Sequence, residues 1–130
     1  MWIAIFGYGL AALALATSAG MIVLGRRWQV IEASAYGGAR RPIWFWAAAA
    51  GLLIIWALAA ADFAASDRNW AGWALIAGVP LGWALKGAAV VFNPEGRKAV
   101  SGIDTDKGWR RIGLARLPIV FVLIALAAFA

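Results

Sequence analysis

The ionisable side chains set narrow limits on the chemistry of this chain. There are six carboxylates (Glu32, Asp62, Asp67, Glu95, Asp104 and Asp106), twelve lysines and arginines, and neither cysteine nor histidine. Without those two residue types there is no disulfide, thiolate nucleophile, zinc or iron–sulfur ligand set, or histidine-held haem. The usual general base at neutral pH is also missing. Carboxylates alone can carry acid–base chemistry, but none of the six lies near the middle of an apolar segment. The residue types therefore predict a protein that is not an enzyme, with no metal and no cofactor. Lys86 is the one clearly intramembrane ionisable residue, and such residues are functional candidates by default. It could face a carboxylate on another subunit, an anionic lipid headgroup or a permeating anion. It also lies only about 9 Å along a helix from the segment boundary near Phe92, a reach that an extended lysine stem nearly covers.

The elements that must position these groups are four apolar stretches. Trp2–Leu24 and residues 42–61 hold no charge, residues 69–94 hold Lys86 within the apolar run, and residues 112–130 hold Arg116. A charge-free run of about 20 residues rises far enough as a helix to cross the ~30 Å hydrocarbon layer. With 65% apolar and 14% charged residues, too little polar surface exists to coat a soluble domain. The chain reads as an all-α integral membrane protein, a single domain over residues 1–130. Its four transmembrane helices are expected at about 2–24, 43–61, 70–92 and 112–130, with basic loops at 25–42 and 93–111. The last helix is expected to start near Ile112 and to hold the Arg116 guanidinium at the membrane edge, since residues 117–130 alone are too short to cross.

Charge placement gives an orientation. Counting lysine and arginine alone, the three connections carry four (Arg26, Arg27, Arg40, Arg41), one (Arg68) and six (Arg97, Lys98, Lys107, Arg110, Arg111, Arg116). Cytoplasmic loops retain such residues. The first and third connections are thus expected inside, and both termini on the outer, periplasmic side of a bacterial-type inner membrane. The net charge of +6 then speaks for anionic lipid rather than nucleic acid. Arg26, Arg27, Arg40, Arg41, Arg110, Arg111 and Arg116, with Trp109, are the expected headgroup-binding residues. Aromatic residues gather at the two boundaries: Trp2, Phe6, Phe63, Trp70 and Trp73 at the outer one, and Trp28, Trp44, Phe45, Trp46, Phe92 and Trp109 at the inner one. Trp56 and Trp83 lie deeper, where helix packing is the expected role and a bound apolar ligand the sharper one.

Residues 39–45 (Ala-Arg-Arg-Pro-Ile-Trp-Phe) and 115–121 (Ala-Arg-Leu-Pro-Ile-Val-Phe) share the pattern Ala-Arg-x-Pro-Ile-x-Phe. Each leads into an apolar span, which suggests two directly repeated helical hairpins. Proline in a first helical turn also explains the pattern without duplication, because its missing N–H would be unpaired there anyway. The first loop holds Trp28, Ile31, Ala35 and Tyr36 at the spacing of a short amphipathic turn ended by Gly37-Gly38. Asn93-Pro94-Glu95-Gly96 is a turn signal that stops the third span.

In lipid, helices associate through small residues that let backbones approach. In the third span Ala74, Gly78, Gly82 and Lys86 recur every fourth residue, with Gly78-x-x-x-Gly82 the most specific signal. Ala12, Ala16 and Gly20 form a similar stripe in the first span, and Ala47 and Gly51 a weaker one in the second. These faces are expected to serve the protein's own bundle first and a partner second. Pro80 sits mid-span and removes the donor for the Ile76 carbonyl, so a bend is expected there.

The chain lacks the first-span glutamate of small multidrug exporters and the histidines of haem-anchoring subunits. The leading expectation is a non-catalytic accessory subunit of a larger inner-membrane complex, docking through helix faces and bound lipids. The alternatives are a small homo-oligomeric channel or transporter for an anionic solute using Lys86, and a self-contained lipid-interacting protein.

Overall fold

The computed structural model describes residues 1–37, 41–103 and 105–130. Among them there is no strand, and four helices are long and apolar enough to cross a membrane. The protein is an all-α, multi-pass membrane protein. Its helices are α1 (Trp2–Leu24), α2 (Trp28–Glu32), α3 (Ile43–Ala64), α4 (Trp70–Val91), α5 (Pro94–Ser101) and α6 (Asp106–Phe129). Met1, the α3–α4 turn and Phe129 share one end of the bundle, here the terminal end. The long connections emerge at the other, the basic end.

The most extensive contact joins the first and last spans, α1 and α6, which run antiparallel along their whole length. Small residues permit it. A β-carbon on Gly7 would meet the Ala127 β-carbon at 2.6 Å, and one on Gly113 would lie 2.8 Å from the Ser18 carbonyl and 3.0 Å from the Met21 β-carbon. The buried positions on α6 include Gly113, Val120 and Ala127, and those on α1 include Ala11 and Ser18, with buried Gly25 just beyond its end. That seven-residue spacing keeps two helices facing one another as they wrap with a left-handed twist.

The remaining core lies at the terminal end. Ile3 and Phe6 of α1, Ala59 and Phe63 of α3, and Leu75 and Ile76 of α4 form its buried centre. Asp62 of α3 fastens this end: its carboxylate accepts from the Ile3 N–H at 3.2 Å and from the Met1 ammonium at 2.7 Å, so it caps the otherwise unpaired amides of α1. Asn69 caps α4 by accepting from Gly72 N–H at 2.8 Å, and its amide donates to the Phe129 carbonyl at the end of α6. Arg68, at φ 51°, completes the turn before it.

Several expectations are corrected. α6 begins at Asp106, six residues before Ile112, because Thr105 caps it by accepting from Gly108 N–H at 3.1 Å. Its 24 residues remove the shortfall in length. The segment after Asn93 is a helix, α5, and not a turn alone. Pro42 stands immediately before α3, whereas Pro118 lies inside α6, so the two prolines of the repeated pattern are placed differently; Gly38, Ala39 and Arg40 lie outside the described residues. The first connection stays helical as far as Gly37, through a 3-10 turn at Gly25–Arg27 and a wide turn at Ala33–Gly37.

Candidate functional site

Two regions bear on function: the flank of α4 that carries Gly78 and Gly82, and the basic end of the α1–α6 pair. The shape of α4 comes first. It contains two wide turns, Ala74–Gly78 and Gly87–Val91, and Pro80 lies just after the first. Proline leaves the Ile76 carbonyl without an N–H four residues on. The Trp56 indole of α3 donates to that carbonyl at 2.9 Å. A bare carbonyl in an apolar interior costs about 1–3 kcal/mol, so this bond fixes where the two helices meet. Trp83 lies edge-on to Phe6, ring centroids 6.1 Å apart. Both deep tryptophans are thus used in packing.

Beyond that contact the helices leave small residues uncovered. A β-carbon at Gly51, Gly78 or Gly82 would meet nothing within 4 Å. Gly78, Gly82 and Lys86 are exposed, and Ala74 is half-buried. The stripe expected to serve the bundle therefore faces outward. The α1 stripe is placed differently too: Ala12 and Ala16 are exposed, and Gly20 lies under the ring of Trp28, which would meet a β-carbon there at 2.5 Å. The seam of α1 instead uses Gly7, Ala11 and Ser18. Four-residue spacing of small residues could not choose between these faces, because alanine recurs on every side of the helix.

At the basic end, Gly25 adopts φ 57°, a conformation that glycine tolerates and other residues rarely do. The chain turns there, and Trp28 folds back over Gly20 with its indole N–H on Glu32 at 2.8 Å. The turn also brings the backbone N–H of Arg26 to the Asp106 carboxylate at 2.8 Å, and Gly25 packs directly against that carboxylate. Arg110 donates to the Ile22 carbonyl at 3.2 Å. Val23, Leu24, Arg26, Arg27, Asp106 and Arg110 line a cleft of about 310 Å³. Three of the expected headgroup residues therefore meet in one place.

The others do not. Arg41 donates to the Val91 carbonyl at 3.0 Å, where Arg97 joins it at 3.1 Å, two cations at the negative end of α4. Arg111 is exposed, and Arg40, like Asp104, lies outside the described residues. Trp109 is 2% exposed and gives its N–H to the Ile103 carbonyl at 2.7 Å, so it is a packing residue and not a headgroup contact. Phe6 and Phe63 are likewise buried in the core and leave the boundary to Trp2, Trp70 and Trp73. Arg116 is half-buried. Its guanidinium lies against α1, 3.4 Å from the Thr17 hydroxyl and 3.7 Å from the Met21 sulfur.

The chain matches no protein family model, no curated protein and no solved structure. Its function is therefore argued from this geometry alone. Asp106 was the functional residue hardest to see in the sequence. Its signal is the Thr105-Asp106-Lys107-Gly108 cap, which marks where α6 begins and hence which arginines its first turn can meet.

Proposed function

We propose that this protein is a non-catalytic accessory subunit of a larger complex in a bacterial-type inner membrane, docking through the flank of α4. One observation carries the reading: Gly78 and Gly82 stand in a membrane helix with open space where a side chain would be. Lipid gives no hydrophobic drive for helices to associate, so close backbone approach at small residues is how they do so. A glycine costs about 1 kcal/mol relative to alanine in a helix interior, and two of them, one turn apart on an uncovered face, are better suited to a neighbouring helix than to acyl chains. Lys86, one turn further along, is exposed on the same flank and would meet a carboxylate or a lipid phosphate at that interface. The distribution of lysine and arginine supports a topology with the basic connections in the cytoplasm and both termini on the outer side.

The test is purification from native membranes in mild detergent, of the wild-type chain and of Gly82→Leu. A larger membrane subunit in stoichiometric amount, lost from Gly82→Leu while that variant remains folded, is the expected result. A lone monomer in both cases overturns the reading. A homo-oligomer with an anion flux that falls in Lys86→Met replaces it with the channel alternative. Reporter fusions near Arg27 and Arg110 test the orientation separately: both must read as cytoplasmic.

A further inference from the structure

The cleft at the basic end sits on the α1–α6 pair and involves no residue of α4, so it stands apart from the docking reading. We propose that it binds the phosphate of one anionic phospholipid headgroup, with Arg26, Arg27 and Arg110 as the binding residues and Asp106 as the group that sets their geometry and tempers their charge.

The site is built into the fold. Gly25 at φ 57° turns the chain so that residues 26 and 27 stand beside the first turn of α6. Asp106 fixes that position through the Arg26 backbone N–H, which leaves the Arg26 guanidinium uncommitted to it. The Ile22 carbonyl holds Arg110 through Nε. Three arginines then line one cleft with a single carboxylate among them. Such a cluster repels itself and is relieved by an anion. Guanidinium groups present paired N–H donors that match the oxygens of a phosphate.

The walls and the depth select the source of that phosphate. The charge-free helix Trp2–Leu24 ends at the cleft, which places Val23 and Leu24 at the edge of the hydrocarbon and the arginines at headgroup level. Val23 is 76% exposed and offers an apolar surface to an acyl chain. A soluble phosphate would have no use for that wall, whereas a phospholipid would use both parts.

The experiment is native mass spectrometry of the full chain in detergent, titrated with short-chain phosphatidylglycerol, with phosphatidylcholine of the same chain length, and with inorganic phosphate. One phosphatidylglycerol is expected to bind with preference over phosphatidylcholine. Arg26→Gln with Arg27→Gln should weaken it at least tenfold, roughly what two interfacial cations contribute, while Lys98→Gln with Lys107→Gln removes as much charge and should change it less than about twofold. Asp106→Asn keeps an oxygen for the Arg26 N–H but removes the negative charge, and should tighten binding about threefold. That gain is a result misfolding would not produce. Equal losses in the two arginine and lysine pairs, unchanged or weaker binding in Asp106→Asn, or equal affinity for phosphatidylcholine would each overturn the site. Displacement of the lipid by low-millimolar inorganic phosphate would assign the same guanidinia to a soluble phosphate and overturn the lipid assignment.

Discussion

Glycine occupies two opposite environments in this protein. On the α1–α6 seam, Gly7 and Gly113 are pressed by Ala127 and by the Ser18 backbone, and their missing side chains are what bring the two helices together. On α4, a β-carbon at Gly78 or Gly82 would meet no neighbour within 4 Å, yet these glycines carry the same penalty in helix stability. The seam glycines are explained by the fold of the chain alone, and the α4 glycines are not. The contrast separates residues that hold the protein together from residues available to something outside it, and substitutions at the two places should behave in opposite ways.

The largest effect is expected at the seam. Gly113→Leu would drive a side chain into the Ser18 carbonyl and Met21. Overpacking of a tight core costs about 1–3 kcal/mol for a few methylenes, and backbone contact of this kind more, so unfolding in mixed detergent micelles should show at least that loss. If Gly113→Leu is as stable as the wild type, the seam is not where the structure places it.

A smaller effect, about 1–2 kcal/mol, is expected from Trp56→Phe, which keeps a ring but withdraws the donor from the Ile76 carbonyl. Pro80→Ala restores a backbone N–H four residues after Ile76, so the cost of Trp56→Phe should fall by at least half in that background. Additive effects in the double-mutant cycle would mean that the indole is not serving the proline. Asn69→Ala should cost about 1 kcal/mol, since it removes the cap of α4, with its tie to the Phe129 carbonyl lost as well.

The smallest effect on the isolated chain belongs to α4. Gly78→Ala and Gly82→Ala should cause no loss of stability and raise it by up to about 1 kcal/mol, because alanine favours a helix and no neighbour is displaced. The same variants should weaken any stoichiometric association in membranes. A large loss of stability in the isolated chain would show that this flank is already covered by the chain itself.

How far each region can be read from the sequence follows from the same contrast. The number of spans, the stop at Asn93-Pro94 and the carbonyl freed by Pro80 all rest on local rules that lipid strengthens: charge is excluded, and proline lacks a donor whatever surrounds it. The buried faces rest on discrimination between apolar residues, and in spans that are apolar on nearly every side the one buried polar residue among those described, Ser18, is too small a mark to pick out the inside. The spacing of four in Ala12, Ala16 and Gly20 is matched by many other alanines. The seven-residue spacing of Gly113, Val120 and Ala127, against Ala11, Ser18 and Gly25, was the more informative pattern, and it becomes recognisable once α1 and α6 are known to pair. The cleft depends on the local turn at Gly25 and on Asp106 meeting it from 81 residues away, a long-range contact that no local motif specifies. Arg116 shows the same limit: its sequence position suggests a side chain stretched to the membrane edge, and its neighbours Thr17 and Met21 come from the far end of the sequence.

The most direct test of the contrast is photo-crosslinking in native membranes, with a benzophenone amino acid placed at Gly82 in one variant and at the exposed Ala12 of α1 in another. If the α4 flank is a docking surface, the probe at position 82 will give one discrete adduct with a second, larger membrane protein, and the probe at position 12 will not. Labelling of lipid alone at both positions, or an adduct confined to this chain itself, would contradict the account.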